Sequence, residues 1–207
     1  MGVKRVGITQ RVRFVDAYNE YRDELDHRVS KWVAAAGHAP VGVPNVLISS
    51  GREVLDDWLR CMGVEALLLS GGGDIGESSP RDLTEQHLLE WACESSTPVL
   101  GICRGMQVMA CRGGARILRV DGHVATRHKL VCDDAALDSD QVNSYHKFGL
   151  RTCPDGYRVI ANAEDGCIEA IHHVTLPWEA WMWHPERELV FRSAEISRFN
   201  ELISNAC

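Results

Sequence analysis

A cysteine between two closely spaced glycines is the residue of this sequence best suited to covalent chemistry. Gly101, Cys103 and Gly105 form the pattern G-x-C-x-G, directly after an apolar run and before a helical pattern. It is the thiol counterpart of G-x-S-x-G, in which a sharp turn from strand to helix exposes the nucleophile and small neighbours leave it room. The positive end of a helix dipole also favours a thiolate there. Alone, the pattern fits a buried structural cysteine equally well.

A histidine and a glutamate two residues apart could complete a catalytic triad. His184 and Glu186 follow the strand-like run 180–183. Because residues two apart in extended chain point to the same side, Glu186 can reach the His184 ring. His184 would help to form the Cys103 thiolate and then protonate the departing amine, while Glu186 would fix the tautomer and stabilise the cation. An H-x-E sequence by itself is more often surface polarity or helix capping.

Attack on an amide places negative charge on the carbonyl oxygen, so hydrogen-bond donors must be placed near Cys103 in advance. The backbone N–H of Arg104 is one candidate for this oxyanion hole, and that of Gly72 or Gly73, after the preceding predicted strand, is another. A flexible turn or a phosphate-binding loop is the alternative for these glycines. No Gly-Lys-Ser/Thr follows them, which makes the phosphate loop the weaker choice.

Alternating strand and helix patterns are expected to position these residues. Apolar runs predict strands at 3–9, 65–69, 99–102, 115–120, 157–161, 168–174 and 180–183. Helical periods predict helices at 25–36, 54–62, 82–95 and around 196–203, with Leu83 among the inward residues of the third. This alternation predicts an α/β fold in one domain spanning 1–207, with a mostly parallel central sheet and helices on both of its faces.

Composition narrows the class of protein. The 207 residues are 45% hydrophobic and 25% charged, as in soluble globular proteins. A net charge of -7 gives no basic field for nucleic acid, and neither a secretory signal nor an apolar run long enough to cross a membrane is found. The eight cysteines are scattered without a C-x-x-C pair. These features predict a cytoplasmic protein with reduced thiols and neither nucleic-acid nor membrane partners.

In order and spacing, the glycine run 71–73, the segment 101–107 and the segment 184–186 together resemble class I glutamine amidotransferases. Within that class, Arg81, Asp82 and Glu85, with the segment 142–146, look like the γ-glutamyl hydrolase branch that includes γ-glutamyl-γ-aminobutyrate hydrolases. The resemblance implies a flavodoxin-like sheet and a γ-glutamyl thioester formed on Cys103.

The same resemblance implies a set of substrate contacts. Gln107 and the main chain around Ser144 and Tyr145 would hold the α-amino and α-carboxylate groups of the glutamyl moiety, with His146 beside the leaving group. For Asn143 and Ser144, a self-bonded turn is an equal alternative to a substrate contact. Lys147 and Phe148 depart from the pattern of the γ-aminobutyrate and polyamine hydrolases, which indicates a different leaving group.

Further segments look most like γ-glutamyl-CDP-amidate hydrolases of capsular phosphoramidate synthesis. They are the segment 7–11, the segment 122–124 with His128, and the segment 182–187. Under this resemblance Arg11, His123 and His128 are candidates for contacting an anionic leaving group. His123 and His128 also suggest a metal, but no third ligand has a recognisable spacing, so neither a metal nor another cofactor is expected.

The expected function is therefore a free-standing cysteine hydrolase that acts on a small-molecule γ-glutamyl conjugate and releases glutamate. A glutaminase subunit that passes ammonia to a separate synthetase is the main alternative. A γ-glutamyl-γ-aminobutyrate or polyamine hydrolase is another, and a non-catalytic binding protein is the weakest. A homodimer is left open.

Overall fold

A computed structural model of the protein describes residues 2–132 and 141–204, which form an α/β fold. The strands are β1 Arg5–Ile8, β2 Arg11–Val15, β3 Glu20–Glu24, β4 Ala39–Gly42, β5 Ala66–Leu69, β6 Val99–Ile102, β7 Leu118–Arg119, β8 Val124–His128, β9 Leu130–Val131, β10 Val142–Tyr145, β11 Phe148–Gly149, β12 Tyr157–Ala163, β13 Ile168–His173 and β14 Trp178–Trp181. The helices are α1 His27–Ala35, α2 Val46–Ser50, α3 Arg52–Met62, α4 Ser79–Ser95, α5 Arg104–Arg112 and α6 Ser193–Ser204, with short 3-10 turns at Asp16–Tyr18 and Pro185–Arg187.

Within the described residues, eight strands make up the central sheet, in the order β4-β1-β5-β6-β14-β13-β12-β9. The first five run parallel, and the remaining three add to β14 in antiparallel fashion. This arrangement confirms the predicted mostly parallel sheet. Its antiparallel flank arises because short turns, rather than crossover helices, connect β12, β13 and β14.

Two apolar cores lie on opposite faces of this sheet because successive strand residues point to opposite sides. On one face, Leu68 of β5 packs with α1 and α6 through Trp32 and Phe199, whose rings are 5.0 Å apart. On the other face, Leu67 and Leu69 pack under the helices α3, α4 and α5. The central strands are therefore buried on both sides, as their continuous apolar sequence indicates.

Several predictions of local structure were wrong. Leu83, expected to face inward on α4, is 50% exposed. The expected strand 115–120 reduces to the two residues of β7, which pair with β11 outside the central sheet. The β2–β3 hairpin and the β8–β10 ribbon were missed. β3 and β8 are mostly exposed, and β10 buries the polar residues Asn143 and Ser144, so neither pair shows the apolar alternation of half-buried strands.

Membrane spans and reduced thiols were also predicted from the sequence. Within the described residues, no helix is both long and apolar enough to span a membrane. Among them, Cys61, Cys93, Cys103, Cys111, Cys153 and Cys167 are free thiols, and Cys207 lies outside the described residues. Trp181 and Trp183 stack on each other at 5.4 Å inside the core, so they contribute to packing.

Candidate active site

Three neighbouring parallel strands bring the candidate site together. β5, β6 and β14 lie side by side in the sheet, so their carboxyl ends share one edge. The glycine run 71–73 follows β5, Cys103 follows β6, and His184 follows β14. In open α/β sheets, ligands bind outside this edge. The order of strands thus places residues that are far apart in sequence around one pocket.

Cys103 occupies a strained turn between β6 and α5. Its backbone has φ 53° and ψ -103°, in the left-handed half of conformational space that residues other than glycine rarely adopt. Its N–H donates to the Trp181 carbonyl at 2.7 Å, which ties the turn to β14. A Cβ on Gly101 would lie 2.6 Å from Met109 Sδ, and one on Gly105 would collide with the Leu69 carbonyl oxygen. The two glycines therefore give the turn the room that its sequence pattern predicts.

His184 and Glu186 form a buried pair beside this cysteine. His184 Nδ1 and Glu186 Oε1 are 2.6 Å apart, and both residues are almost inaccessible to solvent. The extended geometry predicted for this segment was wrong: Pro185–Arg187 form a 3-10 turn, which Pro185 favours because its φ is fixed near the helical value. The turn still brings the carboxylate to the ring.

The histidine is held as a cation at neutral pH. Burial lowers the pKa of His184, but the negative charge and hydrogen bond of Cys103, reinforced by Glu186, raise that pKa from 6.5 to about 9. Gly71 lies between the two side chains, since a Cβ there would be 3.5 Å from Cys103 Cβ and 2.6 Å from His184 Cε1. The hydrogen bond between Cys103 and His184 shows that the two side chains interact directly, as a nucleophile and its base must.

Asn143 holds the histidine in place from behind. Its amide nitrogen donates at 2.8 Å both to the His184 carbonyl oxygen and to Glu188 Oε1, and its amide oxygen accepts from the His184 N–H at 3.1 Å. Both amide hydrogens are thus used. The structure gives Asn143 a positioning role in place of the expected substrate contact.

The candidate oxyanion donors flank Cys103. Gly72 and Gly73 have φ of 86° and 73°, a backbone conformation that suits glycine, and both line a pocket with Cys103 and Arg104. The side chain of Arg104 is buried in ion pairs with Asp82 and Glu85 of α4. Only the main chain of Arg104, at the first position of α5, is left to face the pocket.

Arg81 shapes the glycine loop. Its guanidinium donates to the carbonyl oxygens of Ser70 at 2.7 Å and of Gly72, and it pairs with Glu85 at 3.0 Å. Because these carbonyls are held towards α4, the loop is fixed from behind the pocket. Sequence reasoning noted Arg81 and Glu85 only as marks of resemblance and missed this supporting role, which has no local sequence signal.

The pocket beside Cys103 has a volume of about 140 Å³. Gln107, Tyr145 and His146 line it. Gln107 donates to the Phe148 carbonyl oxygen at 2.9 Å, and the Tyr145 ring lies edge-on to the His184 ring at 5.9 Å. The polar atoms of His146 point elsewhere, with Nδ1 3.0 Å from the Phe148 carbonyl oxygen.

Other expected substrate contacts lie away from this pocket. Ser144 is fully buried and its hydroxyl donates to the His123 carbonyl oxygen at 2.7 Å. His123 is buried between Asp165 and Glu169, which raise its pKa, and it does not line the pocket. Arg11 packs its side chain against Gly72 and borders a second, smaller cleft behind His184. The predicted contact of His123 with an anionic leaving group is thus not supported.

His128 also turns from the pocket, towards Glu169 at 3.6 Å. Sequence spacing supplied no third ligand to join His123 and His128. The fold supplies two, because His146 and Glu169 reach the same point. Sequence spacing therefore gave no information about these two residues.

Two cations at the pocket were missed as site residues. Arg187 lines the pocket, and its guanidinium lies 4.7 Å from the centre of the Tyr145 ring. Lys147 is exposed at the rim. The position of Arg187 directly after the H-P-E segment was a usable signal, because a cation next to a catalytic pair is well placed to bind an anionic substrate.

Comparison with known proteins agrees with this geometry. The Peptidase C26 family profile matches residues 5–186. The chain belongs to the Peptidase C26 family. This membership supports a γ-glutamyl amide hydrolase or glutamine amidotransferase-like activity.

Some relatives of this Peptidase C26 member are named as γ-glutamyl hydrolases, and others are named as glutamine-hydrolysing synthase subunits. A γ-glutamyl-CDP-amidate hydrolase of Campylobacter jejuni is 33% identical over 192 residues, covering 88% of this chain and 90% of that protein. A glutamine-hydrolysing GMP synthase subunit of Methanocaldococcus jannaschii is 25% identical over 194 residues, covering 87% of this chain and 89% of that protein.

A solved structure also shows the fold. A putative GMP synthase subunit of Thermoplasma acidophilum superposes with a TM-score of 0.72 over 99% of this chain and 94% of its own. Sequence identity is 20%, so the likeness shows the flavodoxin-like fold and no more.

Proposed function

We propose that this Peptidase C26 protein is a free-standing hydrolase that releases L-glutamate from a γ-glutamyl conjugate. Cys103 attacks the γ-carbonyl carbon, and the negative oxygen is bound by the N–H groups of Arg104 and of Gly72 or Gly73. His184 gives its proton to the departing nitrogen as the C–N bond breaks, which leaves a γ-glutamyl thioester on Cys103. Water then attacks the thioester, His184 takes a proton from it, and glutamate leaves.

The observation that carries this proposal is the arrangement of Cys103, His184 and Glu186. A cysteine at φ 53° on a strand–helix turn, interacting with a histidine whose pKa is raised to about 9, is a strained arrangement that packing alone does not require. Glu186, 2.6 Å from His184 Nδ1, leaves Nε2 as the nitrogen that exchanges protons with sulfur and substrate.

For the leaving group, we propose a phosphate-bearing amine such as that of γ-glutamyl-CDP-amidate, which would place the enzyme in cytoplasmic synthesis of capsular phosphoramidate. The nitrogen that His184 protonates must leave on the histidine's side of Cys103. Arg187 lines that side and Lys147 stands at the rim, so two cations meet the departing group. A relative of that name at 33% identity supports the same choice.

The first experiment measures glutamate release by purified protein from L-glutamine, γ-glutamyl-γ-aminobutyrate, a γ-glutamyl polyamine and γ-glutamyl-CDP-amidate. Cys103→Ala protein is assayed alongside. The proposal expects fast release from the last conjugate and none from the variant, whose fold is checked by circular dichroism. Equal release by a folded Cys103→Ala protein would rule out the thioester.

A second experiment tests the leaving-group assignment separately. Arg187 also lies 3.6 Å from Glu186 Oε1, so Arg187→Gln can lower turnover of both substrates. The loss in kcat/KM should be roughly tenfold or more greater on the anionic conjugate than on L-glutamine, the value of one charge-assisted contact. Arg60→Gln, an exposed arginine on α3, is the matched control. Equal losses on both substrates would assign Arg187 to the shared glutamyl moiety instead.

The second candidate function is a glutaminase subunit that supplies ammonia to a separate synthetase. Similarity to the glutamine-hydrolysing GMP synthase subunit of Methanocaldococcus jannaschii supports it. Slow hydrolysis of every conjugate by the isolated chain, together with strong activation of L-glutamine turnover by a synthetase, would favour this candidate over the first.

A further inference from the structure

Four side chains with metal-binding atoms converge behind the wall of the catalytic pocket. They are His123, at the start of the β8–β10 ribbon, His128 at the end of β8, His146 just after β10, and Glu169 on β13. One ligand atom from each lies within 4.8 Å of all the others. The cluster joins the ribbon to the central sheet and shares no residue with the Cys103, His184 and Glu186 triad.

The atoms that point to the centre of this cluster lack hydrogen-bond partners among the described residues. They are His123 Nδ1, His128 Nε2, His146 Nε2 and both carboxylate oxygens of Glu169. Glu169 is 0% exposed, and His123 and His146 are 4% and 2% exposed. An unpaired buried polar atom costs about 1–3 kcal/mol, and native proteins seldom keep one. Five of them around one point indicate a shared partner that accepts their lone pairs.

The spacing of these atoms fits a tetrahedral metal ion. Glu169 oxygens lie 3.4 Å from His123 Nδ1, 3.6 Å from His128 Nε2 and 3.4 Å from His146 Nε2. These separations exceed those of ordinary N–H···O hydrogen bonds. A tetrahedron with zinc–nitrogen and zinc–oxygen bonds of about 2.0–2.2 Å has ligand atoms roughly 3.3–3.6 Å apart. The three separations from Glu169, two from Oε1 and one from Oε2, therefore match those between the ligand atoms of a zinc ion.

In each of the three histidines, the outer ring nitrogen, which is the one pointing away from the cluster, lies beside an oxygen. His146 Nδ1 lies 3.0 Å from the Phe148 carbonyl oxygen, His128 Nδ1 3.3 Å from the Lys129 carbonyl oxygen, and His123 Nε2 3.4 Å from Asp165 Oδ2. An oxygen beside the outer nitrogen favours the tautomer that is protonated there, so the inner nitrogen keeps its lone pair. Such outer contacts are typical of metal-bound histidines.

We propose that His123, His128, His146 and Glu169 form a structural Zn²⁺ site. Imidazole and carboxylate donors suit this ion, and four protein ligands in a buried setting leave no open position for a substrate. The ion binds the β8–β10 ribbon to β13, and the ribbon carries Asn143 and Tyr145, which contact His184. Zinc would thus hold one wall of the pocket in place. This inference does not depend on the proposed reaction.

The test uses the full-length Cys103→Ala protein, because Cys103 and His184 could together bind zinc in the catalytic pocket. The protein is stripped with a chelator and titrated with Zn²⁺ and with Co²⁺ alone. We expect one equivalent of tightly bound metal per chain, the intense visible absorption of tetrahedral Co²⁺, and a higher melting temperature with Zn²⁺. Absence of stoichiometric binding, or an octahedral Co²⁺ spectrum, would overturn the proposal.

Variants then locate the ion. In the same background, Glu169→Gln and, separately, His128→Gln should weaken Zn²⁺ binding by on the order of a hundredfold or more. His27→Gln, at an exposed histidine of α1, should bind as the parent does. His128 is the more accessible of the two ligands, so its variant remains informative if Glu169→Gln does not fold. Unchanged affinity in folded His128→Gln protein would refute the assignment.

Discussion

Replacement of Gly71 by alanine tests the contact between the glycine loop and the catalytic pair. Gly71 does not have a positive φ, so its backbone accepts alanine without strain. The new methyl carbon would lie 2.6 Å from His184 Cε1, whereas carbon atoms in contact are usually about 3.5–4.0 Å apart. The ring must therefore move by about 1 Å. A displacement of that size can cost roughly a hundredfold in rate, or about 2.7 kcal/mol of transition-state stabilisation.

The assay is kcat/KM for glutamate release from the conjugate that wild-type protein turns over fastest, with thermal unfolding measured in parallel. Overpacking should cost about 1–3 kcal/mol of stability, so the variant still folds. Gly42→Ala is the matched control: its φ is also not positive, but its methyl would meet only the flexible Gln10 side chain, at 3.1 Å. A folded Gly71→Ala protein with kcat/KM within threefold of wild type would refute the proposed packing of Gly71 against His184.

Buried charges give three further predictions. Turnover should fall as pH rises through about 9, because His184 then loses the proton that the leaving nitrogen needs. Glu186→Gln should move this fall to lower pH. A pH–rate profile of each protein checks both expectations. Glu85→Gln should cost about 3–5 kcal/mol in urea unfolding, because Glu85 is fully buried and its charge pairs with Arg81 and with Arg104, which would keep Asp82 alone of its two acidic partners. A loss below 1 kcal/mol would contradict this. Burial raises the pKa of Glu195 from 4.5 to about 7, so its contribution to stability is present below pH 4.5 and lost as pH rises through 7. The Glu195→Gln variant keeps an acceptor for the Trp183 N–H but cannot ionise. Between pH 4.5 and pH 8, the free energy of unfolding of the variant should therefore increase by about 3 kcal/mol relative to that of wild type. Identical pH dependence of the two proteins would count against the raised pKa.

Much of the fold could be predicted because its signals are local. The apolar strands β5 and β6 and the amphipathic helix α3 carry their periodicity within a few residues, and Gly63 ends α3 in the left-handed conformation that its sequence position indicates. The β2–β3 hairpin and the β8–β10 ribbon gave no such signal, since β2, β3 and β8 are mostly exposed and β10 buries the polar residues Asn143 and Ser144. Their pairing depends on contacts that single-sequence periodicity does not record.

The candidate site also combines features that the sequence could predict with features that it could not. The turn around Cys103 could be predicted from the sequence, because close packing against Leu69 and Met109 requires glycine at fixed positions on either side. The contacts of Asn143 and His123 could not be predicted, because each depends on which strand lies opposite. Asn143 faces His184 rather than a substrate, and His123 faces Glu169 rather than an anionic leaving group.

By itself, the sequence determined the family, the alternating α/β architecture and the three residues of the candidate triad. These carry their information in short motifs and in their order along the chain. Only the tertiary structure decided that Arg81 fixes the glycine loop, that Arg187 lines the pocket, and that three histidines meet Glu169 at one buried point. The physical reason is that such contacts join residues from distant segments, whose side chains approach one another only after the strands have paired and the sheet has been covered.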